Sequence, residues 1–154
     1  MKLKDIIPAD RIFHYSESPA DKYALLEDLM DRTLAGTPFA GKREKILEAL
    51  LDRERSMSTG IGSGIAIPHC STQHIDGMLA SIAILKNSLP FDAVDDRPVS
   101  IVVLLLLSRN DFDRHIKTLA AIARAFNQET LREAVAQTET AEEVVKLFDR
   151  MDGQ

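Results

Sequence analysis

Tryptophan is absent from the 154-residue chain, aromatic residues make up only 5% of it, and cysteine occurs once, as Cys70. A single cysteine excludes an internal disulfide and any thiolate-rich metal site. Long hydrophobic runs are also missing. The longest, Val99 to Leu107, spans nine residues and contains Ser100, whereas a membrane-spanning helix needs roughly 20 apolar residues. At the N-terminus, Asp5, Pro8, Asp10 and Arg11 interrupt any apolar stretch after Lys2 and Lys4, so this segment does not read as a secretory signal. Repeats, low-complexity tracts and linkers long enough to divide domains are absent, which predicts one domain over residues 1–154. These absences together predict a cytoplasmic protein. The formal net charge of −5 argues against nucleic acid or an anionic membrane as a partner.

What is present is an ordinary globular composition, 45% hydrophobic and 28% charged, which implies a buried core. Arg11 to Tyr15 reads as a first strand. A helix is expected from Ser18-Pro19, with Asp21 in its first turn and an apolar stripe of Tyr23, Leu25, Leu26, Leu29, Met30 and Leu34, ending at Gly36. A second helix is expected over 42–55, with Ile46, Leu47, Leu50 and Leu51 inward and a solvated charged face outward. Strands are expected over 63–67, 79–85 and 99–107, the last being apolar enough to lie at the sheet centre, covered on both faces. Helices return over 111–126, 129–136 and 141–150. The expected fold is α/β, a single domain with a mixed sheet flanked by helices on both faces.

Ser58 to His69, STGIGSGIAIPH, is not explained by packing alone. Written as a strand, one face carries Gly60, Gly62, Gly64 and Ala66, and the other Ile61, Ser63, Ile65 and Ile67. A face with so few side chains implies a close approach to the backbone. Two accounts compete: tight packing of a helix or a run of bulges, and an open surface whose N–H groups meet an anion. Neither the P-loop nor the dinucleotide fingerprint fits. Pro68 has no N–H to continue a ladder, so His69 is expected as the first residue past a buried strand, in the crevice where α/β sheets place ligands. A neutral imidazole there keeps one nitrogen free to attack, although from the residues alone a structural or incidental histidine is favoured over a catalytic one.

His115 shares the core-facing stripe of its helix with Leu119, Ile122 and Phe126, and is either a satisfied histidine at the core edge or a donor to an anion. Arg53, before the glycine segment, gains meaning only if the chemistry is phosphoryl transfer, where its fork suits equatorial oxygens. Cys70 adjoins His69, but neighbours in an extended chain point apart, which argues against an activated thiolate. His14 and His74 show no partner pattern, and Ser58 and Thr59 read as turn residues.

The stretch RERSMSTGIGSGIAIPH resembles the active-site signature of enzyme IIA domains of the fructose and mannitol class in the bacterial phosphotransferase system. The similarity extends through LPFDAVDDRPV and RHIKTLAAIA and covers essentially the whole chain. The resemblance implies that His69 is transiently phosphorylated on Nε2, that His115 is the second active-site histidine, and that Arg53, not Arg55, is the active-site arginine. It implies a mixed sheet flanked by helices, and in-line transfer from the phosphohistidine of a small phosphocarrier protein, without metal or organic cofactor. The acceptor is then a IIB domain of a membrane transporter in sugar uptake, or regulated proteins in nitrogen-type members. With no transporter domain or fused phosphocarrier in the sequence, the regulatory role is expected. A binding module without phosphotransfer is the alternative from another class. Cys70-Ser71-Thr72 departs from the small-then-basic pattern that commonly follows the histidine in that class, and bears on partner preference.

Overall fold

The computed structural model describes residues 2–153. Its elements run α1 (Leu3–Ile6), β1 (Ile12–Tyr15), α2 (Lys22–Leu34), α3 (Arg43–Ser56), β2 (Gly60–Gly62), β3 (Ile65–Ala66), β4 (His69–Thr72), β5 (Met78–Leu89), β6 (Val99–Ser108), α4 (Phe112–Phe126), α5 (Glu129–Ala136) and α6 (Ala141–Asp152), with short 3-10 turns at Ala9–Arg11 and Ala40–Lys42. One mixed sheet of six strands runs β1-β5-β6-β3-β2, with β4 also paired to β6. β5 and β6 are antiparallel, whereas β1 lies parallel to β5, and β3 and β4 lie parallel to β6. The mixed α/β architecture expected from the sequence is the one observed.

The continuous apolar run becomes the central strand because neither of its faces meets water. From Ile101 to Leu107 every residue is buried. Odd-numbered residues Ile101, Val103, Leu105 and Leu107 pack under α4, α5 and α6 through Ile122, Phe126, Val135 and Phe148. Even-numbered Val102, Leu104 and Leu106 pack under α2 and α3 through Leu25, Leu29, Ile46 and Leu50. Each such aliphatic side chain, fully buried, contributes about 1.5–3 kcal/mol from removal of apolar surface from water. Asp152, at the end of α6, accepts the backbone N–H groups of Leu3 and Lys4 and so ties α1 to α6.

Three expectations need correction. The first helix begins at Lys22, not Ser18, because Asp21 is its N-cap, with its carboxylate accepting the Ala24 N–H at 2.8 Å. The stretch 63–67 is not one strand. Gly60–Gly62 and Ile65–Ala66 form an antiparallel hairpin, with Gly60 opposite Ala66 and Gly62 opposite Ile65. Ser63 and Gly64 make its turn, at φ 56° and 79°, the pair of positive values that a tight primed hairpin turn demands. The third correction concerns His69. It does not lie past the end of a strand. It opens β4, and its pairing with Leu105 continues in step the pairing of Ala66 with Val102. Pro68 lacks an N–H, yet its carbonyl still accepts the Leu105 N–H at 3.0 Å, so the chain stays against β6.

Candidate functional site

The alternation of β4 decides which side chains reach solvent. His69 is half-buried and Ser71 exposed, whereas Cys70 and Thr72 are buried toward α3. Burial pushes the Cys70 thiol up to about 12, so it stays protonated and does not pair with His69 as a thiolate. His69 shares the sheet face of Leu105 and Leu107 with α4.

The His69 ring is held at 2.8 Å from the Ile67 carbonyl through Nδ1. A carbonyl can only accept, so Nδ1 carries the proton and Nε2 holds the lone pair. Burial is the main cause of a pKa below the ordinary histidine value, and the positive charge of Arg53 adds to it. The Ile67 carbonyl and the negative charge of Glu54 act the other way. The net result is a neutral ring with a free lone pair, the state a nucleophile requires.

His115 is 5% exposed, on the first turn of α4. Its Nε2 lies 3.0 Å from the Ser108 carbonyl and 3.2 Å from the Ser108 hydroxyl, which places a proton on Nε2. Its Nδ1 is buried and has no hydrogen-bond partner among the described residues. One nitrogen is thus satisfied, as a core-edge histidine would be, and the other is not. Arg53 stands in the last turn of α3, where its Nη1 donates to the Met57 carbonyl at 2.8 Å and fixes the guanidinium near the helix end.

Arg53, His69 and His115 line one cleft of about 370 Å³, together with Ser71, Arg109, Phe112 and Ile116. The three residues singled out in the sequence, separated by up to 62 positions, are brought together by the fold. His14 and His74 lie elsewhere, His14 bonded to Thr138 and His74 beside Lys42 and Asp76 on another surface. Ser58 and Thr59 are spent inside the chain, on the Phe91 carbonyl and on Glu54. The hairpin N–H of Ser63 meets an anion, but that anion is the chain's own Asp95, at 2.9 Å. The close approach implied by the glycines is real at Gly60, where a Cβ would stand 2.8 Å from the Ala93 Cβ. Among the described residues, no three His, Cys, Asp or Glu side chains gather into a group that could hold a metal ion, and no helix is long and apolar enough to cross a membrane.

Two buried charges escaped the sequence reading. Lys22 is 5% exposed and Glu54 2% exposed, and they pair at 3.2 Å. A signal for both was present: Ile46, Leu50 and Glu54 recur every four residues, as do Lys22, Leu26 and Met30, so each charge sits on an apolar helical stripe.

A mixed sheet covered by helices on both faces is the fold that this chain shares with solved IIA proteins of the phosphotransferase system. The structure of nitrogen regulatory protein IIA-Ntr from Neisseria meningitidis superposes with a TM-score of 0.82 at 28% identity, covering 95% of this chain and 98% of that one. The chain belongs to the family described as phosphoenolpyruvate-dependent sugar phosphotransferase system, EIIA 2, whose profile matches residues 5–151. Among curated relatives, the PTS system fructose-specific EIIA component of Haloferax volcanii is 33% identical over 129 residues, 83% of this chain and 82% of that protein. The nitrogen regulatory protein of Escherichia coli K12 is 31% identical over 123 residues, 78% of this chain and 74% of that protein.

Proposed function

We propose that the chain is a phosphocarrier in which Nε2 of His69 accepts a phosphoryl group from the phosphohistidine of a small carrier protein, in a nitrogen-type regulatory role. One observation carries the assignment: a neutral imidazole with its Nε2 lone pair free lines the same cleft as a guanidinium and a second imidazole with an unpartnered nitrogen. The lone pair of Nε2 forms the new P–N bond while the pair of the donor's P–N bond returns to the donor ring. Arg53 compensates charge on the phosphoryl oxygens. His115 is the second group in the cleft that compensates this charge. No step in this sequence calls for a metal or an organic cofactor. Phe112 and Ile116, exposed one turn apart on α4 at the cleft, suit docking of a protein rather than of a small molecule.

Likeness to IIA-Ntr across nearly the full length of both chains supports the regulatory role, in which the phosphorylated or free state selects protein partners. The fructose-specific relative supports a second reading, sugar uptake with onward transfer to a IIB domain of a membrane transporter. Incubation with a phosphorylated histidine carrier, followed by mass spectrometry, tests the acceptor. Label stable in base and lost in mild acid is expected on His69 and absent from His69→Ala. Wild-type protein without label would leave a binding module instead. Rapid onward transfer to a IIB domain would favour uptake, and pull-down of different proteins by phosphorylated protein and by His69→Ala would favour regulation.

A further inference from the structure

We propose that Glu54 is a positioning residue for His69, acting through a continuous chain of hydrogen bonds that begins at its buried carboxylate. This inference rests on His69 being the acceptor. The Glu54 carboxylate accepts from Lys22 Nζ at 3.2 Å, from the Thr59 backbone N–H at 2.9 Å and from the Thr59 hydroxyl at 2.6 Å. Thr59 is thereby gripped at two points. Its carbonyl accepts the Ile67 N–H at 3.0 Å, and the Ile67 carbonyl accepts the Nδ1–H of His69 at 2.8 Å. Each link fixes the next, so the carboxylate sets the position of the carbonyl that selects the nucleophile's tautomer.

Packing alone does not account for this arrangement. Burying two full charges is costly, and apolar side chains of similar volume would join α2 to α3 at least as well. Lys22 also pairs with Asp92 at 3.4 Å and donates to the Phe91 carbonyl at 3.3 Å. The same carbonyl accepts from the Ser58 hydroxyl, so the turn after β5 and the segment before β2 are held as one block with the ion pair. The negative charge of Glu54 further favours proton binding by His69, opposing the effects of burial and of Arg53. Glu54 thus helps keep the ring both correctly oriented and basic enough to attack, without touching the phosphoryl group.

Glu54→Gln and the double variant Lys22→Met/Glu54→Gln test this, with nitrogen-15 NMR of the His69 ring and the rate of labelling by a phosphorylated histidine carrier as readouts. The double variant removes both charges together and remains informative should the single variant fail to fold. Folded variants are expected to lose the preference for the Nδ1–H tautomer, to titrate His69 at lower pH than wild type, and to take up phosphoryl groups about ten- to a hundredfold more slowly, as a small misplacement of a reacting group does. Folded variants with wild-type tautomer, titration and labelling rate would overturn the proposal. The ring's tautomer and titration are read without any phosphoryl group, so a wild type that takes no label would remove the acceptor assignment while leaving the effect of Glu54 measurable.

Discussion

The imidazoles of His69 and His115 are tied to backbone carbonyls through opposite ring nitrogens, Nδ1 of His69 to Ile67 and Nε2 of His115 to Ser108. Each carbonyl fixes a tautomer, so in the neutral protein each ring has its lone pair on the nitrogen the carbonyl does not hold. Two lone pairs cannot bond to one another. In the proposed transfer they divide the work, His69 acting as nucleophile and His115 compensating charge on the phosphoryl oxygens.

That division of labour predicts unequal mutant phenotypes. His69→Ala removes the bond-forming atom and is expected to abolish labelling. His115→Ala removes one charge-compensating donor and is expected to slow labelling by about 10²–10³-fold, the usual consequence of losing one preorganised donor to a developing charge. Stopped-quench labelling with a phosphorylated carrier checks both. An undiminished rate in His115→Ala would exclude its role in the transfer.

The acid limb of activity follows from the state of His69. Its pKa is depressed below 6.5, chiefly by burial. The ring is therefore expected to remain neutral and competent at pH 6.5, with labelling falling only in more acidic solution. The same shift bears on stability. Between the depressed value and 6.5 the unfolded chain binds more protons, so stability rises with pH through that window and the contribution is lost as pH falls through the folded value. His14, also depressed mainly by burial, acts in the same direction. An NMR titration of the ring resonances checks the midpoint for His69, and urea melts at several pH values check the slope.

The central strand was legible because 99–107 is apolar at every position but Ser100, and α4, α5 and α6 because their stripes recur at helical spacing. The glycine segment misled for a physical reason. Glycine at every second position is compatible with an extended strand, and equally with a hairpin whose turn uses the conformational freedom of Gly64. Periodicity does not separate the two, since the partner strand lies within the same segment. His69 misled for another. Pro68 lacks a donor, but its carbonyl alone keeps the chain against β6, so pairing resumes at His69 and runs to Thr72. Arg53, His69 and His115 were recognisable by motif, whereas their common cleft depends on β4 pairing with β6, a contact that no local pattern encodes.

Gly60 offers a test of the hairpin's placement that leaves the cleft side chains untouched. An added Cβ would stand 2.8 Å from the Ala93 Cβ and 2.9 Å from its Cα, and the second of these is backbone. Gly60→Ala is expected to destabilise the fold by about 1–3 kcal/mol, as overpacking at a fixed contact does. Urea denaturation measures it. A neutral effect would show that the 91–95 segment yields easily and does not brace the hairpin.

Cys70 gives a chemical readout of whether β4 stays in place beside the acceptor. The thiol is 4% exposed and its pKa is pushed up to about 12 by burial, so the folded protein presents almost no thiolate at neutral pH. Iodoacetamide is therefore expected to label Cys70 only when the strand detaches or the whole domain opens. Increasing urea in steps well below the unfolding transition distinguishes these routes. Labelling that tracks global unfolding would show β4 to be as stable as the core it lines. Labelling at native urea concentrations would instead reveal local detachment of the strand that carries His69, and the preorganised ring orientation described above would then hold for only part of the population.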